Sequence, residues 1–223
     1  MSLSSRKKCI WINLGYNKTL RITLSTDQKL VLASANPGKI KELQQMLGGL
    51  GFTIVPQTSL GIPDIEETGL SFVENSILKA RNAALLSKLP AVADDSGLEV
   101  DFLKGAPGIY SARFAGPEAT DATNREKLLT LMRDVPAEQR GARYQTVIVY
   151  MRHADDPTPL ICQGTWEGSI AFEERGDGGF GYDSIFEVSD TNCRAAELDK
   201  QTKNKLSHRG KAIANLLLQL QNH

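Results

Sequence analysis

The sequence predicts an α/β protein built on a long, twisted, mixed sheet. Short apolar runs alternate with helical patterns in the first 130 residues, a run of β-branched and aromatic residues follows at 144–151, and an amphipathic helix comes last. No repeat or long Pro- or Ser-rich linker divides the 223 residues. We therefore expect one unit over residues 29–223, preceded by an extension of unknown role at residues 1–28.

Composition and charge are those of an ordinary globular protein. Hydrophobic residues make up 41% of the chain and charged residues 23%, which excludes the disordered and membrane classes. Lys plus Arg equals Asp plus Glu at 26 each, so the net charge is zero. No overall electrostatic attraction therefore favours nucleic acid or an anionic membrane as a partner. Cys9, Cys162 and Cys193 lie far apart, which argues against disulfides and a zinc site and favours a cytoplasmic location.

The first two strand and helix units are predicted in the N-terminal half. An apolar run at 29–33 is followed by apolar residues at helical spacing up to residue 48, and Asn36 is suited to cap this helix. Residues 52–55 form the second strand. Ser71 and Glu74 have the spacing of a capping box in front of the second helix.

The third strand, at 91–93, is expected to end where Asp94 and Asp95 follow. A helix beginning near Asp121 should then bury Leu128 and Met132.

The C-terminal half predicts the centre of the sheet and the last helix. Residues 144–151 are apolar on both faces, as in a central strand that is covered on each side. Residues 160–162 and 166–172 are interpreted as two further strands, broken at Gly164. The final helix has apolar residues at Ile213, Leu216 and Leu220, with Ser207 able to cap its start.

Residues 34–39 are a candidate phosphate site. Ser34, Asn36 and Lys39 combine a hydroxyl, an amide and an ammonium with the free N–H groups of a helix start. The spacing differs from that of a Walker A motif. Taken alone, the segment is better explained as a plain capped helix with a solvent-facing lysine.

Adjacent carboxylates at Asp94 and Asp95 favour a divalent cation, because neighbouring negative charges at a strand end repel each other unless a cation or proton offsets them. The alternative is an Asx turn closed by Gly97. Glu66 and Glu67 are candidates for further oxygen ligands, or they belong to a solvated loop.

Residues 176–183 form a glycine-rich loop around Phe180. Four glycines in six positions allow the backbone to approach a ligand and present the ring for stacking on a purine. The alternative is a flexible hairpin loop with a core phenylalanine, but such a loop has no structural need for Asp183.

Two potential cations, His208 and Arg209, stand at the start of the last helix, where the helix dipole disfavours positive charge. An anionic or carbonyl-bearing ligand would offset this, with Lys203 as a further phosphate contact. A salt bridge to a neighbouring carboxylate is the alternative.

Five segments together resemble the non-canonical purine nucleoside triphosphate pyrophosphatase family. They are SANPGK at 34–39, ADDSGL at 93–98, GAPGIYSAR at 105–113, GGFGYD at 178–183 and SHR at 207–209. The resemblance covers residues 29–220. The chain departs from the family pattern in its extension before residue 29 and at Ser184, where the family usually has proline.

The resemblance implies a nucleotide cleft between two α/β lobes, a homodimer, and Mg²⁺ or Mn²⁺ as cofactor. It implies that Asp95 is both the general base and a metal ligand, and that Glu66 or Glu67 is a further metal ligand. The implied phosphate contacts are Ser34, Asn36, Lys39 and Lys203. The other implied substrate contacts are Ser96, Phe180, Gly181, Tyr182, Asp183, His208 and Arg209. The implied reaction is attack at the α-phosphorus of ITP, dITP or XTP, which gives a nucleoside monophosphate and pyrophosphate.

Two other functions stay open on the sequence. A related pyrophosphatase acting on modified pyrimidine or methylated nucleotides would use the same phosphate and metal chemistry. A non-catalytic nucleotide sensor would need no acidic pair beside the phosphates, so Asp94 and Asp95 argue against it.

Overall fold

The computed structural model describes residues 7–13, 19–25, 28–48, 52–189 and 191–220. In the N-terminal extension, β1 (Lys7–Asn13) and β2 (Thr19–Ser25) pair in antiparallel fashion as a separate two-stranded sheet. Residues 1–6, 14–18, 26 and 27 of the extension lie outside the described residues. Its role, and the division into an extension and one domain of two lobes, stay predictions.

A six-stranded mixed sheet forms the centre of the protein, with the strand order β4-β3-β5-β6-β7-β8. The strands are β3 (Gln28–Leu32), β4 (Phe52–Pro56), β5 (Ala91–Val100), β6 (Gly141–Met151), β7 (Leu160–Ile170) and β8 (Phe186–Val188). β3 pairs in parallel with β4 and β5, and the pairs from β5 to β8 are antiparallel. The predicted α/β class and the central place of residues 144–151 are confirmed.

Five helices surround this sheet in the described part of the chain. They are α1 (Pro37–Gly48), α2 (Phe72–Ser87), α3 (Asp121–Leu131), α4 (Lys200–Leu206) and α5 (His208–Leu220). No described helix has the length and apolar character needed to cross a bilayer. The caps predicted at Asn36, Ser71 and Ser207 are confirmed, since each side chain accepts a backbone N–H within the first turn of its helix.

The two faces of the sheet are covered by different helices because side chains alternate along each strand. On one face, Leu30 and Leu32 of β3 pack in the same apolar cluster as residues of α1 and α5. On the other face, Val31 shares a cluster with Ala80 and Ala84 of α2. Both faces of the sheet are therefore covered by apolar packing at this end.

A further apolar cluster lies at the other end of the long strands. There Leu98 of β5, Tyr144 of β6 and Trp166 of β7 pack with Leu128 of α3 and with Phe186. The same three strands thus contribute to the cores at both ends, and a cleft opens between the two.

Two sequence predictions about strand ends were wrong. β5 continues through Asp94 and Asp95, which pair with Ile148 and Val147 of β6. Antiparallel pairing with β6 continues on one side of β5, so the polar side chains do not end the strand. The parallel partner β3 does stop, since its last pair with β5 is Leu32 with Val92, and the cleft opens beyond that point.

Gly164 does not break β7, which runs unbroken from Leu160 to Ile170. A Cβ atom at Gly164 would lie 2.0 Å from the carbonyl oxygen of His208 and 2.9 Å from the nitrogen of Ala212. Glycine is needed there because α5 packs directly against the strand backbone.

Candidate active site

Most of the predicted site residues lie in one cleft, which has two chambers that share Asn36, Lys39, Ser96 and Ala112. We call the first the acidic chamber; its other walls include Ser34, Asp64, Glu66, Glu67, Lys79, Asp95 and Arg113. We call the second the aromatic chamber; its other walls include Leu98, Tyr144, Phe180, Gly181, Tyr182, Asp183, Lys203, His208 and Arg209.

Asp94 and Asp95 point to opposite faces of the sheet because they are successive residues of β5. Asp94 Oδ2 lies 3.2 Å from Lys39 Nζ and 3.1 Å from Arg209 Nε. Asp95 Oδ1 lies 2.9 Å from Lys79 Nζ. Each carboxylate is thus offset by cationic side chains on its own face of the sheet. A divalent cation at Asp95 stays a prediction.

Lys79 of α2 is the main site residue that sequence reasoning missed. Its Nζ lies 2.8 Å from Glu67 Oε1 as well as 2.9 Å from Asp95 Oδ1. Burial opposes its charge, but Asp95, Asp94 and Glu67 outweigh burial and raise the pKa of Lys79. A signal was present in the sequence, because Lys79 stands four residues from Asn75 and from Ala83, both on the buried face of α2.

Glu67 and Asp95 converge on one cation position, which Lys79 Nζ takes here. Burial raises the pKa of Glu67, but Lys79 outweighs it, so the net pKa is lowered and Glu67 is an anion. Burial raises the pKa of Asp95 in spite of Lys79 and Lys39. Glu66 lines the same chamber with an exposed side chain.

The donor set of the acidic chamber fits a hard divalent cation only when substrate completes the coordination. No group of three or more His, Cys, Asp or Glu side chains that could hold a metal occurs in the described ranges. Mg²⁺ commonly takes one or two carboxylates and completes its shell with water and substrate phosphates. Glu67 and Asp95 match that pattern, and the geometry favours Glu67 over Glu66.

The start of α1 faces both chambers. Asn36 Oδ1 accepts the backbone N–H of Lys39 at 3.1 Å, and Ser34 Oγ accepts that of Asn36 at 3.2 Å. The Lys39 side chain is only 16% exposed and pairs with Asp94. Burial lowers the pKa of Lys39, and Asp94 offsets this in part. The alternative of a solvent-facing lysine at this helix was therefore wrong.

Phe180 forms one wall of the aromatic chamber. The flanking Gly179 and Gly181 have φ values of 77° and 64°, which favour glycine. Nζ of Lys203 and Cζ of Arg209 each lie 5.4 Å from the ring centroid. The ring also packs against the start of α1, where a Cβ atom at Gly38 would lie 3.1 Å from it.

Asp183 is buried and organises the residues around Phe180. It accepts from Phe180 N at 2.9 Å, from Tyr144 Oη at 3.3 Å and from Lys203 Nζ at 2.7 Å. Lys203 therefore lies at the aromatic chamber, whose walls also include Lys39, whereas Lys79 lines the acidic chamber. A phosphate contact at Lys203 stays a prediction. Tyr182 is also buried, and its hydroxyl donates to the Ser111 carbonyl at 2.7 Å.

His208 is a buried, neutral ring. It stacks on Tyr144 with ring centroids 4.8 Å apart and planes 10° apart. Burial, helped by the charge of Arg209, holds the pKa of His208 well below its usual value, so the expectation of a cation there was wrong. Its Nδ1 is buried and has no hydrogen-bond partner among the described residues.

Arg209 is held by three side chains. It donates to Asp94 Oδ2 at 3.1 Å, to Glu42 Oε2 at 2.7 Å and to Ser96 Oγ at 2.8 Å. The salt-bridge alternative for this arginine is confirmed. The network fixes the guanidinium plane beside Phe180 and leaves part of its N–H capacity for a ligand.

Comparison with known proteins gives consistent results over most of the chain. A family model described as the Ham1 family matches residues 30–219. Proteins named dITP/XTP pyrophosphatase from Photorhabdus laumondii and Escherichia coli K12 are each 57% identical over 195 residues, which is 87% of this chain and 99% of theirs. A HAM1 protein structure from Coxiella burnetii is 49% identical with a TM-score of 0.81, covering 88% of this chain and 100% of that one.

Proposed function

The chain belongs to the Ham1 family, and we propose that it hydrolyses ITP, dITP and XTP to the nucleoside monophosphate and pyrophosphate. It is a nucleoside triphosphate pyrophosphatase, a hydrolase of phosphoanhydride bonds, and it keeps deaminated purines out of the nucleotide pool. One observation carries the proposal. An aromatic chamber bounded by Phe180 is joined through Lys39 and Ser96 to a chamber where two lysines face carboxylates.

The phosphates bind along the acidic chamber in this proposal. Lys39 and Lys79 offset the negative charge of the triphosphate, and the positive end of the helix dipole at the start of α1 favours phosphate oxygens there. Asp95 takes the proton of the water that attacks the α-phosphorus. Its raised pKa, caused by burial, suits a general base better than that of an exposed aspartate.

We propose Mg²⁺ as the cofactor, with Mn²⁺ as the alternative, held by Asp95 and Glu67. When bound, the ion supplies electrostatic stabilisation of charge on the phosphate oxygens. Displacement of Lys79 Nζ from between the two carboxylates would free it for the triphosphate.

Glu67→Gln is expected to raise the Mg²⁺ concentration needed for half-maximal activity by at least about tenfold. Glu66→Gln is the matched control, because it removes the same charge from the neighbouring position, which has an exposed side chain. Mn²⁺ binding in the presence of a non-hydrolysable nucleotide, followed by electron paramagnetic resonance, gives a second measurement. An effect of Glu66→Gln equal to that of Glu67→Gln would overturn the choice between them.

Selectivity for hypoxanthine and xanthine over adenine follows from the donors in the aromatic chamber. Arg209 and Lys203 have N–H groups beyond those already paired, and both lie beside Phe180. A 6-keto oxygen accepts from such donors, whereas a 6-amino group would leave a buried donor unpaired. Neutral His208, with its unpaired Nδ1, lines the same chamber.

We also propose that the protein is a homodimer, on the resemblance alone. We propose a cytoplasmic location on the pattern of cysteines. A sedimentation mass equal to a single chain would contradict the dimer.

The substrate range is tested by pyrophosphate release from ITP, XTP, GTP, ATP and TTP, with Mg²⁺ and with chelator. We expect release from ITP and XTP that stops with chelator, and formation of the monophosphate. Turnover of pyrimidine nucleotides alone would favour the related pyrophosphatase, and binding without turnover would favour the sensor.

A further inference from the structure

The residue after Phe180 is held from both sides by the first turns of α3. Gly181 N donates to Asp121 Oδ2 at 2.7 Å, and Arg125 Nη1 donates to the Gly181 carbonyl at 2.9 Å. Asp121 and Arg125 are four residues apart and therefore share one face of the helix. Both polar groups of a single residue in the glycine-rich loop are thus fixed by one helix.

The same helix also joins the two ends of the loop. Arg125 Nε donates to Glu174 Oε2 at 3.0 Å, and Ser184 Oγ donates to the same oxygen at 2.9 Å. The Ser184 hydroxyl is the donor in this bond, so the C-terminal end of the loop is tied to the carboxylate that Arg125 also contacts. We call Asp121, Arg125, Glu174 and Ser184 the loop latch.

The loop needs such support because of its own sequence. Gly179 and Gly181 flank Phe180 at positive φ, and glycine has the largest backbone freedom to lose on ordering. Asp183 fixes the Phe180 nitrogen from within the loop. The carbonyl of Gly181 accepts a hydrogen bond from Arg125, so α3 fixes the backbone on the C-terminal side of Phe180.

We infer that the loop latch is a positioning device for base selectivity, in which Asp121 and Arg125 set the orientation of Phe180 through Gly181. This inference rests on the proposed function, in which the Phe180 ring stacks on the purine. Asp121 and Gly181, the loop residue that Arg125 contacts, line the aromatic chamber, and the acidic chamber includes neither Asp121 nor Arg125. Loss of the latch should therefore weaken substrate binding and discrimination and leave the chemical step intact.

The test uses Asp121→Asn and Arg125→Met in the full chain, with Glu126→Gln on an exposed position of the same helix as the control. Stacking of one base accounts for about tenfold or more in affinity. We expect each latch variant to raise KM for ITP by about tenfold with kcat within about twofold, and to reduce the preference for ITP over ATP. Ser184→Ala should show a smaller change in the same direction.

A double-mutant cycle with Phe180→Ala separates positioning from a general loss of stability. If the latch acts through the ring, Asp121→Asn should add little to the effect of Phe180→Ala on KM. Additive effects, or an unchanged KM in the single variants, would overturn the inference.

Hydrogen exchange of the amides of residues 176–184 tests the latch without turnover. We expect faster exchange in the latch variants than in Glu126→Gln, and equal exchange would overturn the inference. If the wild-type protein failed to hydrolyse ITP, the proposed function would fall, while exchange would still report whether the latch holds the loop.

Discussion

Replacing Asp95 with asparagine is expected to lower kcat for ITP by about 10²–10⁴-fold, the usual contribution of a general base. The amide keeps the size of the side chain but cannot accept the proton of the attacking water. Nucleotide affinity should change much less, because Lys39 and the start of α1 keep their positions. Single-turnover kinetics measure the chemical step, and calorimetric titration with a non-hydrolysable nucleotide measures binding.

The same substitution has a structural effect that must be checked. Asp95 pairs with Lys79 at 2.9 Å, and Lys79 keeps Glu67 as its second partner at 2.8 Å. We therefore expect the fold to persist, with a thermal unfolding transition close to that of the wild type. An unchanged kcat would remove Asp95 as the base, and an equal loss of binding and turnover would make its role one of placing Lys79.

Replacing Asp94 with asparagine is expected to destabilise the protein by about 3–5 kcal/mol, the cost of breaking a buried ion pair on one side. The Asp94 side chain is 0% exposed, and its Oδ2 accepts from both Lys39 and Arg209. Its loss removes the counter-charge of Lys39 and leaves Arg209 with Glu42 as its carboxylate partner. Urea unfolding at pH 7 measures the change in free energy.

An exposed pair provides the matched control for this variant. Glu167 is 60% exposed and pairs with Arg143, so Glu167→Gln should cost at most about 1 kcal/mol. Equal losses of unfolding free energy in the two variants would show that burial does not increase the contribution of the Asp94 ion pairs to stability.

The contribution of Asp94 should also depend on pH. Burial raises its pKa, but Lys39 and Arg209 outweigh burial and hold the pKa well below the ordinary value of 3.8. Because the pKa is lower in the folded than in the unfolded protein, the stabilisation is fully present above about pH 4 and decreases as the pH falls below that value. The loss of stability between pH 7 and pH 3 should be smaller in Asp94→Asn than in the wild type.

Local patterns predicted most of the fold. Helix caps such as Asn36 and Ser207 depend on a few neighbouring residues, and period-2 and period-3.6 patterns report which face of an element is buried. The errors came where a local cue was ambiguous. Asp94 and Gly164 are of residue types that often end strands. Asp94 nevertheless lies within β5 because it pairs with β6, and Gly164 lies within β7 because α5 packs directly against the strand backbone there.

The sequence by itself determined the fold class, the helix starts and the motifs that place the chain in its family. Only the tertiary structure decided the partners of the charges: Lys79 pairs with Asp95 and Glu67, Arg209 with Glu42, and Lys203 with Asp183. Glu42 and Arg209 are 167 residues apart in sequence. A periodic pattern shows that a face is buried but carries no information on which distant element packs against it.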